Sequence, residues 1–259
     1  MGRRLHLESV VFLECLGEAV ADGLKWLARP TVSGLSYSYD DEPLGRKLRA
    51  MAARGVIALP DPTDARILRL TERGHAIVNN GVCPPEQWGR NWDGLWRMIL
   101  FDIAEVDRPV RTRLRKVLTT ARMGYLQGSA WISPDPLGGL RDEVRAITPD
   151  PESLLFFEGK PFAGESDASL VNGAWSLRRL RKAHEYCLGL LRRPPGVAAS
   201  GAAWMAWLAE ERTAWEEALA LDPLLPDALL PADYLGKEVH ALRREVLRRA
   251  LPRLLTEEK

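Results

Sequence analysis

The chain has little cysteine, only four histidines and no long apolar run, and its charges nearly cancel. Each of these absences excludes a class of function. No stretch approaches the ~18 consecutive apolar residues of a membrane span. The best candidate, Ala198 to Ala209, is short and is bounded by Arg193 and by Glu210–Glu211. Arg3–Arg4 followed by apolar residues imitates a secretory signal, but His6, Glu8 and Glu14 interrupt it, and no small-residue cleavage site follows. His6 also stands where a myristoylation motif requires Ser or Thr. Cys15, Cys83 and Cys187 are an odd, scattered set that implies no disulfide framework. A cytoplasmic protein is expected.

Catalytic signatures are equally scarce. The sequence holds no P-loop, no GxGxxG dinucleotide loop, no GxSxG nucleophile elbow and no HExxH zinc motif. His6, His75, His184 and His240 lie far apart. His184 and Cys187 share a helical face at i, i+3, but a metal site needs two further ligands, so a half-buried His beside a core Cys is the plainer reading. No metal or cofactor is expected, and no enzyme.

What remains is a chain of 259 residues, 46% hydrophobic, with 36 basic and 35 acidic side chains. That is enough apolar material for real cores and enough length for two or three compact units. A net charge of +1 argues against coating nucleic acid by bulk charge, so any basic surface must be local. Pro84–Pro85 and Pro161 with Gly164 are the natural joints. They divide the chain into 1–83, 84–162 and 163–259.

In the first segment Glu8 to Asp22 reads as a helix ended by Gly23. A second helix opens at Asp41 as N-cap, with Pro43 in its first turn, and ends near Gly55. Leu44, Leu48, Met51 and Ala52 form its apolar face. Arg46, Ala50 and Ala53 point the other way, flanked by Lys47, Arg49 and Arg54. Small residues with cations at the edges suit a helix that enters a groove while its flanks meet phosphates. Val56 to Leu70 then reads as a hairpin with Arg66 near its tip, and Thr71, Glu72 and Gly74 lead into a short helix. With a short helix at Leu24 to Ala28 that Pro30 stops, the order helix, helix, basic helix, hairpin is that of a winged helix-turn-helix, with Arg46, Lys47, Arg49, Arg54 and Arg66 as candidate DNA contacts.

The second segment opens with Trp88, Trp92 and Trp96, four residues apart and expected to be exposed. Leu95 to Ile103 reads as a buried strand. Arg108 to Arg122 reads as a helix with six basic and no acidic residues, stopped by Gly124. Tyr125 to Ser133 is a strand in which Gly128 marks either a bulge or a turn between two short strands. A helix over Leu137–Ile147 and a strand over Ser153–Phe157 complete the order of a ferredoxin-like α/β sandwich. The third segment reads as all-helical, with helices near Gly173–Arg192, Ser200–Leu221 and Leu235–Leu251 and a Pro-punctuated turn over Leu221–Tyr234. The fold class is therefore α+β.

The set Trp88…Trp92–Asp93–Gly94–Leu95–Trp96, Leu100–Phe101–Asp102–Ile103, Arg108…Arg111…Leu114…Leu118, Gly124–Tyr125 and Ala130–Trp131–Ile132–Ser133–Pro134 resembles the PaaX-type transcriptional regulators. So does Leu221–Asp222–Pro223–Leu224–Leu225–Pro226…Leu229–Leu230–Pro231–Ala232–Asp233–Tyr234–Leu235–Gly236. The resemblance implies a winged helix-turn-helix, a ferredoxin-like middle domain serving dimerisation, and a helical C-terminal domain. It also implies a dimeric repressor bound to a double-stranded DNA operator and relieved by an aryl-coenzyme A thioester such as phenylacetyl-CoA. By position, the recognition helix would be Pro43 to Arg54 and the wing Val56 to Leu70. Two departures stand out: Ala28 to Asp40, with Pro30, replaces a full scaffold helix, and Tyr234 stands where related sequences tend to have Trp.

Two other functions compete. The middle segment also resembles the ferredoxin-fold nucleases of CRISPR adaptation, with Asp102 at the position of their metal-binding Asp. One carboxylate is a poor metal site, and a cap or salt-bridge partner for the basic helix that follows is the plainer role. The third reading is a ligand sensor that has lost DNA reading. For an effector, Arg178, Arg179, Arg181 and Lys182 offer charge for the phosphates of coenzyme A, with a nearby Trp or Tyr to stack on an aryl group.

Overall fold

A computed structural model describes residues 7–21, 43–58, 69–78, 82–148, 151–196 and 198–255. Among these residues no helix is long and apolar enough to cross a membrane. The chain divides into two compact units, and neither is continuous. The first takes Met1–Cys83, His184–Glu217 and Leu235–Lys259, and the second takes Pro84–Ala183 and Ala218–Tyr234. One boundary between the units falls between Cys83 and Pro84. The C-terminal third, read from sequence as one helical domain, instead contributes to both.

In the first unit, α1 (Leu7–Ala21) packs against α10 (Gly236–Leu255) and α3 (Glu72–Val78). Six consecutive residues, Val11 to Leu16, are buried, and Glu14 is among them. A helix enclosed on every side shows no clean apolar stripe, and α1 is such a helix. In α2 (Pro43–Ala53) Leu48 and Met51 are buried while Arg46, Ala50 and Ala53 are exposed. Gly55 ends it at φ +67°, a left-handed conformation that glycine adopts without penalty, and Val56 N–H donates to Met51 O at 3.2 Å. The corner is then tied to α3. Thr71 Oγ1 donates to Gly55 O at 2.7 Å and accepts from Gly74 N–H at 3.1 Å, which makes Thr71 the cap of that helix. Between them, β1 (Ile57–Ala58) and β2 (Arg69–Leu70) form a short antiparallel ladder, Ile57 opposite Leu70.

The second unit is built on an antiparallel sheet of β3 (Trp96–Phe101), β4 (Gly124–Gln127), β5 (Ala130–Ser133) and β6 (Leu154–Gly159), in the order β4-β5-β3-β6. With α5 (Arg108–Thr120) after β3 and α6 (Gly138–Ile147) after β5, this is the ferredoxin-like order. Gly128, at φ +55°, turns the chain between β4 and β5, so two short strands replace the single bulged one. Strand alternation divides the apolar residues. Ile99, Phe101, Trp131 and Leu154 meet Leu114 and Leu118 of α5 and Val144 of α6 on one face. Trp96 and Ile132 meet Val171 and Ala174 of α7 (Asp167–Ala174) and the late residues Leu225 and Leu229 on the other.

Three local expectations need correction. The helix expected over Gly173–Arg192 is two helices, α7 and α8 (Leu177–Leu191), because Trp175 is extended (φ −125°, ψ 146°). That conformation carries its indole against Gly124 and lets Nε1 donate to Arg122 O at 3.2 Å. Gly124 does not stop α5. Arg122 makes the left-handed turn at φ 58°, and a Cβ on Gly124 would sit 2.6 Å from that of Ala174 and 2.7 Å from the Trp175 ring. Close packing, not a helix end, requires glycine there. Finally, Trp88 and Trp96 are buried and Trp92 is half-buried, so this region is not an exposed surface. Trp96 Nε1 donates to Asp167 Oδ1 at 2.7 Å, Trp92 Nε1 donates to Leu95 O at 3.0 Å, and Trp88 meets the Tyr234 ring edge-on.

Candidate nucleic-acid interface

The candidate DNA-reading residues lie around α2 and the ladder that follows it. Arg46 and Arg54 are exposed and Arg49 is half-buried. Lys47 lies within α2, its side chain outside the described residues, as do Arg66 and the 59–68 stretch that joins β1 to β2. Residues 22–42, which include the expected N-cap Asp41 and the irregular 28–40 segment, are outside the description as well. Burial of Leu48 and Met51 turns Arg46, Ala50, Ala53 and Arg54 outward together, which gives a small-residue strip flanked by cations.

The same unit holds a buried charge network that sequence reading missed. Glu14 of α1 accepts from Arg212 of α9 (Gly201–Leu221) at 2.6 Å and from Arg243 of α10 at 3.0 Å. Glu211 accepts from Arg243 at 2.8 Å, and Arg243 lies 5.3 Å over the Trp215 ring. Burial raises the Glu211 carboxyl above the ordinary range, with Arg243 opposing that shift. Burial by itself disfavours charge on Arg243, but Glu14 and Glu211 outweigh it and hold the guanidinium charged. Glu14 inside an apolar run and Glu211–Arg212 inside a Trp-rich helix were the available signals. Each reads locally as an interruption.

His184 and Cys187, the face considered for a metal, are both buried. Burial lowers the imidazole pKa to about 4 and raises the thiol to about 12. Among the described residues no group of three or more His, Cys, Asp or Glu is placed to hold a metal ion. Asp102 is exposed just beyond β3. Its N–H donates to Ser153 O at 2.9 Å, and Asp107, not Asp102, stands at the N-cap position of α5.

The effector cluster falls in the first turns of α8. Arg178, Arg179, Arg181 and Lys182 are exposed around buried Leu180, and Arg181 pairs with Asp233. Trp175, the aromatic nearest in sequence, is committed to the core of its unit.

The late motif has a structural role that sequence did not show. Asp222 Oδ1 accepts from Leu224 N–H at 2.8 Å, and the Tyr234 hydroxyl donates to Oδ2. Burial raises the Asp222 carboxyl, and the Tyr234 hydroxyl works against that rise. Arg122 donates to Leu219 O at 2.8 Å and to Asp222 O, while Arg90 grips Asp135 with two bonds and reaches Leu224 O at 2.5 Å. These bonds fasten 218–234 to the sheet unit. On that unit, β6 is an edge strand whose Leu155 and Phe157 are each 55% exposed. Beside them an open cavity of about 410 Å³ is lined by Trp96, Met98, Leu100, Phe157, Lys160 and Leu170, among others.

Residues 89–171, which carry this sheet, match the family model of the PaaX protein central Cas2-like domain. This stretch is similar to the central domain of PaaX proteins. The structure of the uncharacterized protein Rv0674 from Mycobacterium tuberculosis matches the chain with a TM-score of 0.53 at 22% sequence identity, covering 92% of this chain and 97% of that one. That likeness shows a shared fold. No curated protein matches the chain.

Proposed function

We propose that this chain is a PaaX-type DNA-binding transcriptional regulator, a dimeric repressor relieved by an aryl-coenzyme A thioester such as phenylacetyl-CoA. The observation that carries the DNA reading is the order of elements in the first unit. A helix with an outward cationic strip is followed at once by an antiparallel ladder, Ile57 opposite Leu70. In a winged helix-turn-helix, α2 is the recognition helix and this ladder the base of the wing. Arg46 and Arg54 then reach base edges or phosphates, and Ala50 and Ala53 permit close approach.

Dimerisation is assigned to the sheet unit, where Leu155 and Phe157 offer apolar area on an edge strand to a second copy. Exposed Arg178, Arg179 and Lys182 supply charge for the phosphates of a thioester effector. Catalysis forms no part of this reading. Nucleic-acid cleavage with Mg²⁺ or Mn²⁺ that Asp102→Ala abolishes would replace it with the nuclease alternative.

The test is a fluorescence-anisotropy titration on the duplex upstream of the gene. Arg46→Ala with Arg49→Ala should weaken binding and flatten its dependence on salt. Unchanged affinity would remove the assignment. Thermal shifts with phenylacetyl-CoA and with free coenzyme A test the effector, which requires stabilisation by the former alone.

A further inference from the structure

Helix α5 carries a charge arrangement that its own stability does not call for. Its thirteen residues include Arg108, Arg111, Arg113, Arg115 and Lys116 and no acid. Leu114 and Leu118 are buried against the sheet, and the opposite arc exposes Arg108, Arg113, Arg115 and Lys116. Arg108 occupies the first turn, where the helix dipole repels a cation. Arg113 and Lys116, at i and i+3, repel one another. A merely solvated face mixes its signs, as neighbouring α6 does with exposed Arg141, Asp142, Glu143 and Arg145. The sheet unit as a whole is close to neutral, so the excess is local to α5.

We infer that the solvent face of α5 is a second nucleic-acid contact, binding the phosphate backbone of duplex DNA outside the α2 site. The side chains are mostly arginines, whose planar fork matches phosphate oxygens two at a time. Thr119 and Thr120, exposed on the same arc, add hydroxyl donors. Arg108 and Arg115 are separated by ~10 Å of helix rise, about three base steps along a duplex strand. The arc offers no large apolar side chain to insert between lipid headgroups, which favours nucleic acid over an anionic membrane. Phosphates carry no base identity, so this face adds affinity and register without specificity.

The inference rests on the DNA reading above for its choice of ligand, and the experiment separates the two. The full-length chain and the triple variant Arg113→Ala, Arg115→Ala, Lys116→Ala are titrated against the upstream duplex and a scrambled duplex over a range of salt. Circular dichroism verifies that the exposed Ala substitutions leave the fold intact. The slope of log K against log salt should fall by about 2–3 for the triple variant, equally on both duplexes, at ~0.9 per phosphate lost. Arg46→Ala with Arg49→Ala should flatten the slope as well but, unlike the triple variant, also reduce the preference for the upstream duplex. An unchanged slope in the triple variant, with the parent binding DNA, overturns the α5 inference alone. Failure of the parent to bind either duplex removes both. Loss of binding to phosphatidylcholine–phosphatidylserine vesicles with DNA binding intact would also overturn it.

Discussion

Replacing Arg243 with Met tests the buried network of the first unit. Arg243 is 8% exposed and its partners Glu14 and Glu211 are 1% and 2% exposed. Met keeps most of the apolar stem and removes the charge. Glu14 retains Arg212 at 2.6 Å, so the cost falls mainly on Glu211, left buried without its guanidinium. Breaking a buried pair from one side costs about 3–5 kcal/mol. The remaining pair should keep this one near the lower end, about 3 kcal/mol. Burial already raises the Glu211 carboxyl, and Arg243 opposes that shift, so the variant raises it further. An acid whose pKa is raised by folding binds a proton on folding, so stability grows as pH falls toward the ordinary carboxylate range. The deficit should therefore shrink as pH falls from neutral toward the ordinary carboxylate range, by up to about 1.4 kcal/mol per unit of added shift. Urea unfolding followed by circular dichroism measures it. Arg243→Met with Glu211→Leu should recover much of the loss, since the orphaned charge is gone. A single variant within about 1 kcal/mol of the parent at every pH would refute the reasoning.

The remaining predictions concern packing, thiols and assembly. Gly124→Ala drives a methyl into Ala174 and the Trp175 ring and should cost about 1–3 kcal/mol, read as a lowered Tm; an unchanged Tm would mean the neighbours yield freely. Cys15 and Cys187 are buried with thiols raised by burial, whereas Cys83 is half-buried, so one thiol should react with a disulfide reagent in the native state and all three in denaturant. Rapid reaction of two thiols in the native state would contradict the packing of α1 or α8. Phe157→Asp should shift sedimentation from dimer toward monomer, and identical profiles for parent and variant would take the interface away from β6.

The middle sheet was legible because its signals are local. Buried strands, the Leu114–Leu118 face of α5 and the Gly128 turn each show within a few residues. The misreadings share an opposite cause. Arg122 adopts its left-handed turn with its guanidinium held by carbonyls about a hundred residues later, and Gly124 is fixed by Trp175 from another helix. Neither partner is visible to a local pattern. The Trp88–Trp96 spacing suggested a display surface, yet Asp167 and Tyr234, far along the chain, receive those indoles. In the candidate site, the cationic strip of α2 followed from its period, because Leu48 and Met51 fix which side faces out. The Glu14–Arg243 pairing did not, since it joins opposite ends of the chain.

The second face of the sheet has one further consequence, for the order in which the protein is made. Trp96 and Ile132 are sealed in part by Leu225 and Leu229, which the ribosome produces long after the four strands. At about 5–20 residues per second, the finished sheet waits several seconds with that apolar face covered only in part, by α7. During that interval other chains have access to it. A fragment cut at 84–183 would remain in that state permanently, without the two leucines that close the face.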